Sequence, residues 1–115
     1  MNTINRAVAV VKPEQPFLDW LHSIKIDDNN DITLKCLQGD CSVYLLPEAD
    51  TFEDHQENVA KIYEDIFEGE LYDWYVIDEL WPVLRDYDTF KRWFTVEIHT
   101  VVYDPWKIPL SREER

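Results

Sequence analysis

Glycine is scarce in this sequence: Gly39 and Gly69 are the only two among 115 residues. A loop that cradles phosphate groups needs several glycines close together, because only a backbone without Cβ atoms approaches the phosphates closely. The chain therefore has no glycine-rich nucleotide loop. It also lacks the GxSxG and HExxH motifs of hydrolases and zinc peptidases. No motif specifies a reaction, so we expect no cofactor and no intrinsic chemistry.

Long apolar runs are absent as well. The first 15 residues contain only five consecutive apolar residues, 7–11, which is shorter than the apolar region of a signal peptide. No stretch approaches the roughly 20 apolar residues that span a bilayer. We therefore expect one globular domain over residues 1–115, located in the reducing cytosol, with residues 110–115 as a frayed tail.

Basic residues are almost absent from the middle third of the chain. Residues 40–79 contain 13 Asp and Glu and one basic residue, Lys61, so this third carries −12 of the net charge of −13. Nucleic-acid grooves and proteins that bind anionic membranes need positive charge. We therefore expect no direct nucleic-acid binding and no membrane binding. The charge favours a basic protein as partner.

Sequence patterns predict the elements of the first half of the chain. The continuous apolar run in residues 6–12 predicts a strand that is buried on both faces. Apolar residues at helical spacing after Pro16 predict a helix over residues 15–24. Alternating apolar and polar residues predict a β-hairpin made of residues 31–37 and 41–46.

Cys36 and Cys41 flank the turn of this predicted hairpin. Their spacing does not match the CxxC of redox and zinc motifs. The hairpin could place them opposite each other, at a distance that permits a disulfide. We expect instead that both are small buried apolar residues.

The longest predicted helix begins after a cap at Asp50 or Thr51 and continues through Gly69. Its apolar residues recur at steps of three and four, which predicts one buried stripe: Val59, Ile62, Tyr63, Ile66, Phe67, Leu71 and Trp74. We expect four glutamates on the opposite side to form an exposed acidic face: Glu53, Glu57, Glu64 and Glu68. His55 on the same helix is expected to be solvated.

The last third is predicted to contain one helical turn before Pro82, a short helix that Asp88 caps, and a strand over residues 94–103. The resulting order is β-α-β-β-α-(short helices)-β, an α+β fold. This order resembles the ferredoxin-like split βαβ layout, in which helices cover one face of an antiparallel sheet. The resemblance lies in element order alone, and a fold does not specify a function.

Aromatic residues interleaved with carboxylates form the main candidate binding site. The candidates are Tyr72, Trp74, Tyr75, Asp78, Glu79 and Trp81. We call the rings of this segment, together with Trp93 and Trp106, the aromatic cluster. Tyr and Trp dominate binding hot spots, and a ring beside a carboxylate attracts cations. The alternative is that these rings fill the core beneath the final strand.

Glu97 and His99 form an alternative site. They lie two residues apart in the predicted last strand, so they share a face and are close enough to share a proton or a metal. The competing interpretation is the exposed polar face of an edge strand. We expect no bound metal, because structural zinc needs four ligands and few others are close in sequence.

These observations favour a small acidic interaction module that engages a basic partner through the acidic face and the aromatic cluster. Mimicry of nucleic acid is a variant of this hypothesis, because rows of helix carboxylates can imitate phosphate spacing. The alternative is a small-molecule-binding or catalytic domain with a cleft lined by Trp74, Trp81, Glu97 and His99. Flat exposed rings would favour the module, and a concave aromatic pocket would favour the cleft.

Overall fold

A three-stranded antiparallel sheet forms the centre of the protein, for which the computed structural model describes residues 1–114. Its strand order is β3-β2-β4, and a separate short antiparallel pair joins β1 to β5. The strands are β1 (Asn2–Thr3), β2 (Arg6–Pro13), β3 (Ser42–Pro47), β4 (Phe94–His99) and β5 (Tyr103–Asp104). In the register of the sheet, Ala9 lies opposite both Tyr44 of β3 and Ile98 of β4.

Helices cover one face of this sheet. They are α1 (Gln15–Ser23), α2 (Leu34–Gln38), α3 (Phe52–Tyr72) and α4 (Tyr87–Trp93), with a 3-10 turn at Asp78–Leu80. Ala7, Ala9 and Val11 are buried against the helices, whereas the β2 residues between them are only half-buried. The strand predicted over residues 6–12 is confirmed. Its predicted burial on both faces is wrong, because none of the helices within residues 1–114 covers the second face.

The long helix α3 forms as the sequence predicts. The Thr51 hydroxyl accepts a hydrogen bond from the Asp54 amide at 3.1 Å, which satisfies one of the free N–H groups of the first turn. The helix continues through Gly69 without interruption. Four residues of its stripe are buried: Val59, Ile66, Phe67 and Leu71. Ile62 and Tyr63 pack at the edge of the core. Trp74 lies beyond the end of the helix and is 41% exposed, so the stripe ends earlier than predicted.

Aromatic rings fill the space between α3, α4 and the sheet. Phe67 of α3 meets Phe94 of β4 edge-to-face, with ring centroids 5.4 Å apart, and it meets Phe90 of α4 at 6.1 Å. All three rings are almost completely buried. Edge-to-face pairs place the positive ring edge over the negative ring face, so they add to the stability that burial provides.

The predicted hairpin of residues 31–37 and 41–46 is wrong. Residues 34–38 form α2 instead, because Thr33 caps this helix: its hydroxyl accepts a hydrogen bond from the Cys36 amide at 3.2 Å. The second predicted strand exists as β3, but its partner is the central strand β2. The predicted ferredoxin-like order is therefore not confirmed, whereas the α+β class with an antiparallel sheet is.

The cysteines differ from the expectation for the same reason. Both are free thiols, and Cys36 is exposed rather than buried, while Cys41 is half-buried. Without the hairpin, nothing in the strand register places them opposite each other.

Two boundaries in the last third differ from the prediction. Asp86, not Asp88, caps α4, and its carboxylate accepts a hydrogen bond from the Thr89 amide at 2.8 Å. The strand predicted over residues 94–103 ends at His99, and β5 turns away to pair with β1. Residues 110–114 have no regular structure and are exposed, whereas Arg115, the last residue of the predicted tail, lies outside the described residues.

Candidate functional site

The acidic face lies on the solvent side of α3. Glu53, Glu57, Glu64 and Glu68 are separated by four, seven and four residues, so they project from one side of the helix. All four are exposed, and within residues 1–114 none of them forms an ion pair. Lys61 lies among them and is also exposed. The face is therefore a row of exposed carboxylates with a single ammonium group, Lys61, among them.

Exposed apolar residues continue from the end of this helix. Tyr72 is 50% exposed and Trp74 is 41% exposed, and Val76 and Ile77 follow at 64% and 52%. Asp73, Asp78 and Glu79 are exposed within the same segment. Sequence reasoning missed Val76 and Ile77, although both stand outside the helical stripe in an irregular segment. The end of α3 and the segment after it therefore expose four apolar side chains beside three carboxylates, and we call these four side chains the apolar strip.

Tyr75 and Trp81 do not belong to this exposed strip. The Tyr75 hydroxyl donates to Asp27 at 3.1 Å and accepts from the Asn29 amide at 2.7 Å. The Trp81 indole donates to the Tyr75 carbonyl at 2.7 Å, and both rings pack against the core. These two residues anchor the segment between α3 and α4.

The two remaining tryptophans of the aromatic cluster lie elsewhere. The Trp93 ring contacts Phe17 and Phe67 and is half-buried. Trp106 follows β5 and is 73% exposed. The structure thus divides the cluster into exposed rings after α3, anchoring rings, a core ring and a separate surface ring.

Glu97 and His99 project from the face of the sheet that the helices do not cover. The His99 imidazole lies 3.7 Å from the Glu97 carboxylate, and the Lys12 ammonium donates to the same carboxylate at 2.7 Å. This hydrogen bond lowers the pKa of Glu97 and raises the pKa of Lys12. Trp74 follows α3 on the helical side, so the structure does not bring it to the Glu97–His99 pair.

His55 is placed where sequence reasoning did not expect it. It is 4% exposed rather than solvated, and its Nδ1 atom has no hydrogen-bond partner within residues 1–114. It lines an open cavity of about 790 Å³ at the start of α3. His55 precedes Val59 by four residues and Ile62 by seven, so it extends the buried stripe by one turn. This spacing was the sequence signal from which its burial could have been predicted.

A second cavity, of about 370 Å³, lies beside α2 and the end of α3. It contains both thiols, and the buried carboxylate of Glu70 accepts hydrogen bonds of 2.9 Å from the hydroxyls of Ser42 and Tyr44. Hydrogen bonds from Thr33 lower the pKa of Cys36, whereas burial raises the pKa of Cys41. Sequence reasoning missed Glu70, which also lies on the stripe, three residues after Phe67.

Within residues 1–114 no group of three or more His, Cys, Asp or Glu side chains has an arrangement suited to a metal ion. None of the described helices combines the length and the apolar character needed to cross a bilayer.

Comparison of the chain with protein-family models, with curated protein sequences and with solved structures gave no match. The geometry and charge of the residues are therefore the basis for a functional assignment.

Proposed function

We propose that this protein is an interaction module that binds a basic partner protein through the acidic face of α3 and the apolar strip that follows it. The observation that carries the proposal is the row of four exposed glutamates that have no cationic partner within residues 1–114. Like charges four residues apart on a helix oppose folding by a few tenths of a kcal/mol each. A basic partner would remove this repulsion.

The acidic face would act mainly on the rate of association. A large single-signed potential steers an oppositely charged partner over roughly one Debye length, about 8 Å at physiological salt. Because exposed charge pairs contribute little to final affinity, the face supplies encounter rate and selectivity more than binding free energy.

The apolar strip would supply the affinity. Tyr72 and Trp74 expose large rings next to carboxylates, and Val76 and Ile77 extend the apolar area. An arginine of a partner can stack on such a ring while it pairs with a neighbouring carboxylate. A strip of this kind, flanked by charge, is typical of a hot spot with a polar rim.

We place this interaction in the cytosol, where free thiols such as Cys36 persist. Direct contact with nucleic acid or an anionic membrane disagrees with the charge of the face, because both carry the same sign.

Capture from a cell lysate tests the proposal. The immobilised chain should retain a basic protein, identified by mass spectrometry, and the double variant Glu57→Lys/Glu64→Lys should lose it. The control is Glu113→Lys/Glu114→Lys, which changes the net charge equally at two exposed residues of the C-terminal segment. Equal capture by both double variants would contradict a role for the acidic face.

A second pair of variants tests the apolar strip. Trp74→Ala should weaken binding of the captured protein by at least about fivefold, as expected for a hot-spot ring. Trp106→Ala removes an equally large exposed ring after β5 and should leave the affinity unchanged. Equal losses in the two variants would remove the strip from the proposed interface.

A further inference from the structure

The cavity at the start of α3 is built from three parts of the chain. The segment 48–51 between β3 and α3 forms one side, and the first turns of α3 form another. Ala7 of the central strand and Thr100 after β4 complete it. The cavity therefore joins the acidic face of the helix, through Glu57, to the interior of the domain.

His55 gives this cavity a buried polar atom that needs a partner. The side chain is 96% buried, since its exposed fraction is 4%, and it forms part of the cavity wall. Its Nδ1 is the one buried side-chain nitrogen or oxygen of the described residues without a hydrogen-bond partner. Buried polar groups are almost always paired, so an unpaired one points to a ligand that completes it.

The charge of the cavity selects a cation. One ammonium group, that of Lys61, lines the cavity together with four carboxylates, which belong to Glu48, Asp50, Asp54 and Glu57. The positive end of the α3 dipole alone would favour an anion. However, the Thr51 hydroxyl already accepts a hydrogen bond from the Asp54 amide in the first turn of α3. The carboxylates around the cavity then make the local electrostatic potential negative.

The shape and chemistry of the cavity fit a guanidinium group. The described residues offer no cluster that suits a metal ion. A guanidinium has five N–H donors in a plane, which suits acceptors spread over several side chains. The Phe52 ring lines the cavity and is 54% exposed, so it offers a face on which a guanidinium can stack. Ala7 and Ala49 offer apolar contact for the methylene stem.

We infer that this cavity binds the side chain of a single arginine of the partner, with the guanidinium between the Asp54 and Glu57 carboxylates and His55 Nδ1 as an acceptor. The inference rests on the proposed function, because it names the residue by which the basic partner is recognised. Lysine fits less well, since its compact ammonium has three donors and does not stack in the same way.

An NMR titration of the full chain with N-acetyl-arginine amide tests the inference. The probe should shift the ring nitrogen resonances of His55 saturably, and N-acetyl-lysine amide should bind at least about threefold more weakly. Asp54→Asn should weaken binding about fivefold, which is the upper end expected for the loss of one exposed charge pair. Asp65→Asn makes the same change at an exposed residue of the same helix that lies outside both the cavity and the acidic face, so it serves as the matched control; it should change the affinity less than about twofold.

Several results would overturn the inference. The first is the absence of a saturable shift at His55 up to roughly 100 mM probe, a concentration at which screening is already strong. The second is an equal response of the His55 resonances to acetate. The third is an equal loss of affinity in the two variants. Asp54 and Asp65 are exposed, so neither variant depends on repacking the core, as His55→Ala would. Arginine binding without capture of a basic protein would contradict the proposed function alone. Capture that persists in Asp54→Asn, without arginine binding, would contradict the inference alone.

Discussion

Trp81 offers a sharp test of how the structure divides the aromatic cluster. Its indole donates to the Tyr75 carbonyl at 2.7 Å, its ring packs against the core, and the Arg85 guanidinium lies 5.7 Å from the ring centroid. In Trp81→Ala we expect the loss of one hydrogen bond, about 1 kcal/mol, and of a half-buried ring, about 1.5–3 kcal/mol. The free energy of unfolding should therefore fall by about 2.5–4 kcal/mol.

Urea denaturation followed by far-UV circular dichroism measures this change. Trp81→Phe keeps a ring but removes the N–H donor, so it should cost about 1 kcal/mol. Trp74→Ala removes a more exposed ring and should cost less than about 1 kcal/mol. If the free energy of unfolding of Trp81→Ala stays within about 0.5 kcal/mol of that of the unmodified protein, the ring contributes nothing to the core.

Three further predictions concern charge and the last strand. Because the uncompensated carboxylates of the acidic face repel one another, 0.5 M NaCl should raise the melting temperature on the order of a few degrees, and a flat or falling response would contradict an exposed acidic face. Ile98→Ala should lower the free energy of unfolding by about 1–3 kcal/mol, since Ile98 packs against the core. Thr95 is exposed, so Thr95→Ala should be nearly neutral, and equal effects of the two variants would mean that the faces of β4 are misassigned. Because the pKa of Glu97 is lowered in the folded state, its ion pair contributes stability above the pKa of the unfolded chain, and this stability is lost as the pH falls through the folded pKa. In Lys12→Met the pKa of Glu97, measured by NMR titration of the carboxylate, should rise, and an unchanged pKa would exclude the ion pair as the cause of the lowered value.

The sequence predicted those elements in which the apolar pattern covers many residues and the capping residue lies next to it in sequence. The α3 stripe extends over several turns, and the Thr51 cap lies beside it, so both helix and acidic face were predictable. The alternation in residues 31–37 covers too few residues to separate a strand from a short capped helix. The pairing of β3 with β2 joins residues that are distant in sequence, and no local pattern specifies such a contact.

The parts of the site that escaped prediction are polar residues on an apolar stripe. His55 and Glu70 both lie at stripe positions, yet residue type alone assigns histidine and glutamate to the surface. Their burial depends on the neighbours that the fold supplies: the hydroxyls of Ser42 and Tyr44 for Glu70, and the cavity wall for His55. The helical spacing of these two residues indicated that they are buried, whereas their residue types indicated that they are exposed.

If the acidic face of α3 steers a basic partner, the association rate of the captured partner must depend on salt concentration. We expect this rate to fall steeply with salt for the unmodified chain and for Glu113→Lys/Glu114→Lys, and to be slower and nearly independent of salt for Glu57→Lys/Glu64→Lys. The same salt dependence in all three proteins would rule out steering by the acidic face.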